Sequence, residues 1–233
     1  MSLVLHYKVN SDATDASGNG LDGVATNGSF VAGKIGNAFD NEGNGWITRA
    51  YDAAIYLPTF TIAWWQNLQT LTYGSNAYPV AMYERPPGKR QWGFWIRSGV
   101  AQKYQINVST NGTAAYSLAT GITPVTGWHH MALTCVNSTK AWELFIDGVS
   151  VFSGTHTYSF ANQGSHLTIG GQNGTNLTDG IYDDFRYYDE VLSLRSIQLL
   201  YADGDGTETA WPTWPVKTMA KAGTASILGV IAK

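Results

Sequence analysis

The run Ala141-Trp142-Glu143-Leu144-Phe145-Ile146 is separated from Val149-Ser150-Val151-Phe152 by the dipeptide Asp147-Gly148. A two-residue loop of this kind needs positive φ at both central positions, which Gly adopts freely and Asp tolerates, and its twist matches that of paired antiparallel strands. The segment is therefore predicted to be a hairpin, and similar runs fill the chain on both sides of it. Leu3 to Tyr7 is one. Pro58 to Trp65 is another, with Phe60, Ile62 and Trp64 on one face, read as the core face. Further strands are predicted over Val80 to Glu84, Gln91 to Arg97, Lys103 to Ser109, Ala115 to Ala119, Trp128 to Val136, His166 to Gly170 and Gly180 to Tyr188, each bounded by turn-forming residues. Aromatic residues make up 13% of the chain and it holds 26 glycines, a balance that favours many strands joined by tight turns over helical packing. The expectation is an all-β, antiparallel, two-sheet sandwich.

One helix is expected late in the chain. Ser193 is placed to cap Leu194 to Tyr201, where Leu194, Ile197, Leu200 and Tyr201 recur at helical spacing and would pack on the sandwich. Past Asp203-Gly204-Asp205-Gly206 the character changes, because the prolines of Trp211-Pro212-Thr213-Trp214-Pro215 lack the amide that either element needs. Residues 1–208 are read as one domain, and 209–233 as a Pro/Trp linker with a Lys/Ala/Gly/Ile tail. That tail is too short to build a core and is expected to be disordered or docked on a partner.

A formal net charge of -3 provides no broad positive field to gather nucleic acid. No apolar run approaches the length of a membrane span, and the first residues lack the pattern of a secretory signal. The single cysteine, Cys135, lies in the apolar run Met131 to Val136 and reads as a small core residue.

Five blocks resemble the LamG-like, concanavalin A-like jelly-roll domains. Asp12 to Gly23 with Gly33-Lys34-Ile35-Gly36-Asn37-Ala38-Phe39 is similar to their N-terminal signature. Phe60 to Trp65, Gly127 to Ala132, Leu144 to Gly148 and Ile181 to Tyr188 then follow in the family's order, so that the likeness spans Leu3 to Tyr201. It implies a jelly-roll sandwich with one short C-terminal helix and an extended tail. The final helix departs from the pattern, with Leu194-Arg195 where an acidic first turn would suit the helix dipole. Thr70 to Ser117 has no counterpart that aligns, and this is where such domains vary their binding specificity.

Three kinds of site come into question for such a chain. The resemblance implies one structural calcium, for which Asp15, Asn19 and Asp183 are the oxygen donors if the first and last strands are neighbours. The alternative gives Asp15 and Asn19 to local turns and pairs Asp183 or Asp184 with Arg186, the two adjacent acids pointing to opposite faces of a strand. Carbohydrate would use aromatic faces and amides, and Tyr73, Tyr78, Tyr83, Trp92, Trp95, Asn67 and Asn76 supply both. Alternation sets Trp92 and Phe94 against Gly93 and Trp95, so some of these rings belong to the core. Catalysis finds no seat. The glutamates are scattered, with neither the carboxylate pair of a glycosidase nor a G-x-S-x-G elbow, and His129-His130 on a strand splits between core and solvent.

The expected function is therefore a non-enzymatic, surface-presenting binding module. Lys221 to Lys233 resembles short repeats that follow such domains in tailed-phage structural proteins. The reading that follows is a capsid decoration or fibre component on the virion surface, oligomeric within its assembly, docked to virion proteins through 211–233 and able to adhere to a cell-surface glycan. Two alternatives stand beside it: a free, extracellular carbohydrate-binding module of lectin type, and a divergent glycan-cleaving enzyme.

Overall fold

The computed structural model describes residues 2–84, 88–99, 102–172 and 174–209. These residues form fifteen strands and one α-helix. In chain order the strands are β1 Leu3–Tyr7, β2 Val24–Thr26, β3 Ser29–Ala32, β4 Asn37–Asp40, β5 Trp46–Arg49, β6 Thr59–Leu68, β7 Ala77–Glu84 and β8 Lys89–Ile96. They continue as β9 Tyr104–Val108, β10 Tyr116–Ala119, β11 Gly127–Val136, β12 Ala141–Ile146, β13 Val149–Thr155, β14 Leu167–Ile169 and β15 Gly180–Tyr188, followed by α1 Leu194–Tyr201. One sheet runs β13-β12-β11-β6-β15-β4-β3, with β1 also paired to β15, and the other runs β10-β9-β8-β7-β14-β5-β2. Every pairing between named strands is antiparallel.

The two sheets meet through the faces that alternation assigns to the core. Phe60 of β6 stacks on Trp92 of β8 with ring centroids 4.9 Å apart, and Trp64 meets Phe94 edge-on at 5.7 Å. Ile62, Leu133, Cys135 and Tyr187 complete the same buried layer. Each fully buried side chain of this kind contributes roughly 1.5–3 kcal/mol through area removed from water, which is how a sandwich of short strands is held together. At the hairpin, Asp147 and Gly148 take φ of 52° and 74°, the double positive that the dipeptide announces.

The outer faces of the two sheets differ. On the first sheet, Ala63, Ala132, Phe145 and Tyr188 form a second apolar cluster with Leu192, Ile197 and Leu200, so that α1 covers this face. Ser193 Oγ accepts the Ser196 amide at 3.1 Å and caps the helix, and no acid stands in its first turn. The strand after the hairpin and this helix sit where the sequence places them. The segment from 23 to 49 holds four short strands that alternation does not reveal, since three or four residues between Gly and Asn turns carry too little period.

One expectation is corrected by β15. Tyr182 and Phe185 both point into the inter-sheet core although three positions apart, and the ladder to β6 shifts between Asp183 and Arg186, with Asp184 at φ 47°. This is a bulge. The extra residue places Asp183 and Asp184 on the same outer side of the strand rather than on opposite faces.

Candidate functional site

On the outer face of the second sheet, Tyr78, Ala81, Tyr83 and Trp95 form a cluster separate from both cores. Alternation with a register shift between Ala77 and Val80 brings them there: Tyr78, Ala81 and Tyr83 flank the inward Ala77, Val80 and Met82 of β7, while Gly93 and Trp95 alternate with Trp92, Phe94 and Ile96 of β8. The ring of Tyr78 lies 7° from the plane of Tyr83 and 14° from that of Trp95, with centroids 6.5 and 5.7 Å away. Gly93 makes this possible. A methyl group there would sit 3.0 Å from the Tyr78 ring, so the missing side chain lets that ring settle on the sheet.

Polar groups fix the rings. Asn107 Nδ2 donates to the Tyr78 hydroxyl at 3.0 Å, and Asn107 Oδ1 is itself held by Ser117 Oγ at 2.7 Å. The Tyr78 amide donates to Asn176 O at 3.0 Å, and Asn176 Nδ2 donates to Gln172 Oε1 at 2.8 Å. Burial pushes the Tyr78 hydroxyl above its ordinary pKa against the pull of Arg90. Arg90 lies 4.9 Å over the Tyr83 ring. The result is a recessed aromatic shelf whose three rings are each less than a tenth exposed, bordered by a small pit that Arg90, Asn107 and Gln172 also line.

The residues predicted for carbohydrate therefore separate. Tyr78, Tyr83 and Trp95 come together on the shelf. Trp92 and Tyr73 do not: both belong to the inter-sheet core, Trp92 against Phe60 and Tyr73 with its hydroxyl bonded to Thr70 O at 2.9 Å. Both rings lie between the sheets rather than on the outer face, which corrects that expectation. Asn67 sits on β6, in the other sheet, where its Oδ1 accepts the Gly127 amide. Asn76 ties the start of β7 to Ser98. Arg90, Asn107 and Gln172 join the site without a motif to mark them, and the one local signal for Asn107 is its place between Ile106 and Val108 on a strand with one wet face. A larger cleft, about 470 Å³, opens among Leu71, Thr72, Gln102, Lys103, Thr123 and Pro124, and none of the described residues lining it is aromatic.

The three residues predicted for calcium are engaged by the chain itself. Asp15 Oδ1 accepts the amides of His6 and Ser17, both at 2.9 Å, and its Oδ2 accepts the Leu21 amide and the Ser17 hydroxyl. Burial works to raise the pKa of this carboxyl, yet those donors hold it below the usual range. Asn19 donates to the carbonyls of Leu3 and Val4, and Asp183 Oδ2 accepts the Ile35 amide at 2.8 Å. Among the described residues no group of three or more His, Cys, Asp or Glu is placed to hold a metal ion. An ion at Asp15 would have to displace donors that already fill its oxygens.

Two further polar sites are structural in geometry. Asp184 accepts from Arg186 Nε and Nη2, and its Oδ1 lies 2.7 Å from His6 Nε2, all three side chains being buried. Arg186 also donates to the carbonyls of Thr207 and Thr209, pinning the described end of the chain to the outer face of the first sheet. His130 is buried beside Trp65 and its pKa is pulled down to about 3, by burial and then by Arg186, whereas His129 is part-exposed with Nδ1 2.7 Å from Asp147 Oδ2. One histidine is thus inside and one wet, as strand alternation requires.

Two stacked antiparallel sheets, one face closed by a helix and the other carrying a recessed aromatic shelf, define a jelly-roll sandwich. The profile of the concanavalin A-like lectin/glucanases superfamily matches residues 40–198, and the chain belongs to that family. Among solved structures it is similar to domain 4 of AbnA, an extracellular GH43 arabinanase from Geobacillus stearothermophilus in complex with arabinotriose. There the identity is 22% and the TM-score 0.67, over 84% of this chain and 97% of that one. It is similar as well to the binding domain of Paraclostridial Mosquitocidal Protein 1, at 20% identity and TM-score 0.67, covering 86% of this chain and 52% of that one. The binding domain of botulinum neurotoxin DC in complex with rat synaptotagmin II gives 13% and 0.64, over 86% and 51%. The chain spans about half the length of these toxin binding domains. No curated protein matches it.

Proposed function

We propose that this chain is a non-enzymatic carbohydrate-binding module that holds an oligosaccharide against the shelf of Tyr78, Tyr83 and Trp95. The observation that carries the reading is the arrangement of those three rings: nearly parallel, fixed through the Tyr78 hydroxyl and seated on Gly93, on a sheet face away from the covering helix. The C–H face of a sugar ring packs on such a surface, and amides at its border fix orientation. Rings already ordered in the free protein lose little freedom on binding. The similarity to a sandwich domain solved with arabinotriose supports the same reading. Described residues lining the pit include no carboxylate, which speaks for binding over hydrolysis, since glycosidases need two.

The test is binding of the whole protein to a panel of immobilised oligosaccharides, beside Trp95→Ala, Tyr78→Ala and the control Val24→Ala, whose side chain is exposed elsewhere. Loss of binding in the first two alone supports the shelf. Equal binding by all three rejects it, and release of reducing ends by the wild type rejects the non-enzymatic reading.

The virion role has one structural observation in its favour. Thr209, the last described residue, lies on the outer face of the first sheet, opposite the shelf. A module anchored through 211–233 would hold its shelf outward. The docking segment itself lies outside the described residues. Deleting 211–233 should abolish attachment to the particle while the sandwich stays folded, and retained attachment would reject the docking role.

A further inference from the structure

We infer that the saccharide recognised at the shelf carries a carboxylate, that is, a uronic or sialic acid type of unit, with Arg90 as the residue that selects it. This rests on the shelf being the ligand site. Arg90 borders the shelf: its guanidinium lies 4.9 Å over the Tyr83 ring, and its charge acts on the Tyr78 hydroxyl against the larger effect of burial there. Among the described residues lining the pit, Arg90 is charged, none is acidic, and the polar remainder includes the amides of Gln91, Asn107 and Gln172. A positive charge bordered by neutral amides and ring faces creates a local preference for an anion. Contact with the Tyr83 ring restricts the guanidinium, whose planar fork of N–H donors is the geometry that a planar carboxylate matches in bidentate fashion. Arg90 Nη1 already contacts Thr113 O at 3.3 Å, which holds the group in place from the β10 side. The protein as a whole carries a net charge of -3, so no long-range attraction gathers anions. Selection at Arg90 is therefore a contact effect, and polyanions of high charge density are not favoured over a single well-placed carboxylate.

The experiment measures affinity of the full chain for three sets of oligosaccharides matched in length: neutral, uronate-bearing and sulfated. Wild type, Arg90→Met, Arg90→Lys and Trp95→Ala are compared, with near-ultraviolet circular dichroism to confirm that Arg90→Met keeps the aromatic packing. A charge-assisted contact of this type is worth roughly 10–100-fold in affinity. The inference predicts that uronate-bearing fragments bind best, that Arg90→Met removes the margin of about that size over the neutral set, and that Arg90→Lys recovers only part of it. Neutral fragments bound as tightly as uronates, lost in Trp95→Ala and unmoved by Arg90→Met, would overturn the inference and leave the shelf standing. A preference for the sulfated set would overturn the carboxylate assignment. No binding of any set, or binding indifferent to Trp95→Ala, would overturn it together with the shelf.

Discussion

Replacing Asp183 by asparagine should change how the stability of the protein responds to pH. The Asp183 carboxyl is fully buried at the bulge of β15; Oδ2 accepts the Ile35 amide, whereas Oδ1 has no hydrogen-bond partner among the described residues. Gly33 leaves just enough room, since a methyl group there would lie 2.7 Å from Oδ2. Burial, and then the charge of Asp184, push this carboxyl from its ordinary 3.8 up to about 7. With the folded value raised, the folded chain binds the proton more tightly than the unfolded chain, so stability falls as pH climbs from about 4 to about 7 and levels off beyond. At 1.36 kcal/mol per pKa unit, the ionised form at pH 8 costs about 4 kcal/mol relative to the protonated form. Asparagine keeps an acceptor for Ile35, and its NH2 stands where the protonated acid would also hold an unpartnered donor, so those costs cancel. His130 slopes the other way: it is neutral in the fold with its value pulled down to about 3, and its share of stability is lost as pH falls below 6.5. Because that slope is common to both proteins, the difference between Asp183→Asn and wild type isolates Asp183. Urea unfolding followed by tryptophan fluorescence at pH 4, 6 and 8 should show the variant gaining on the wild type by about 4 kcal/mol across the range. A difference that stays constant with pH would refute the buried, proton-holding carboxylate.

Other perturbations divide by burial and by face. Asp184→Ala strips the buried Arg186 and His6 of their partner and should cost about 3–5 kcal/mol, while His129→Gln, which breaks the part-exposed contact to Asp147 and leaves the hairpin turn intact, should cost about 1 kcal/mol or less; the urea midpoints of both variants check this. Cys135 is buried and its thiol is held in the protonated form by desolvation, so a thiol reagent should leave the native protein unlabelled and react once denaturant is added. Trp92→Ala, which empties a site between Phe60 and Trp142, and Trp95→Ala, which removes a ring less than a tenth exposed, should each lose about 3–5 kcal/mol of stability, and only Trp95→Ala should also lose ligand at temperatures where both variants are folded; thermal melts and binding on the same preparations separate the two effects.

Much of this architecture was legible in the chain. The Asp147-Gly148 turn, the inward set Phe60, Ile62 and Trp64, and the capped helix at Ser193 each follow from local rules whose signal lies within ten residues. The bulge in β15 was not legible, because an extra residue in a ladder is defined by the partner strand, and nothing in Asp183-Asp184 alone marks it. Similarly, alternation separates Trp92 from Trp95 but does not say which side is the core, so a ring suited to sugar reads the same in either place. Arg90 escaped notice for a related reason: a lone charge near a strand end becomes informative only when Tyr83 is seen beneath it. Asp15 shows the converse. Its neighbours Ser17 and Leu21 supply the donors that its oxygens need, so a run that resembles an ion loop closes on itself.

The central claim is that recognition happens on the outer face of the second sheet. Titrating isotope-labelled protein with an oligosaccharide that binds, and following amide and indole signals by NMR, tests it most directly. The account predicts the largest shifts at the Trp95 indole and at the amides of Gly93, Asn107 and Gln172, with α1 unmoved. Shifts centred instead on α1 or on the cleft between Thr72 and Lys103 would contradict it.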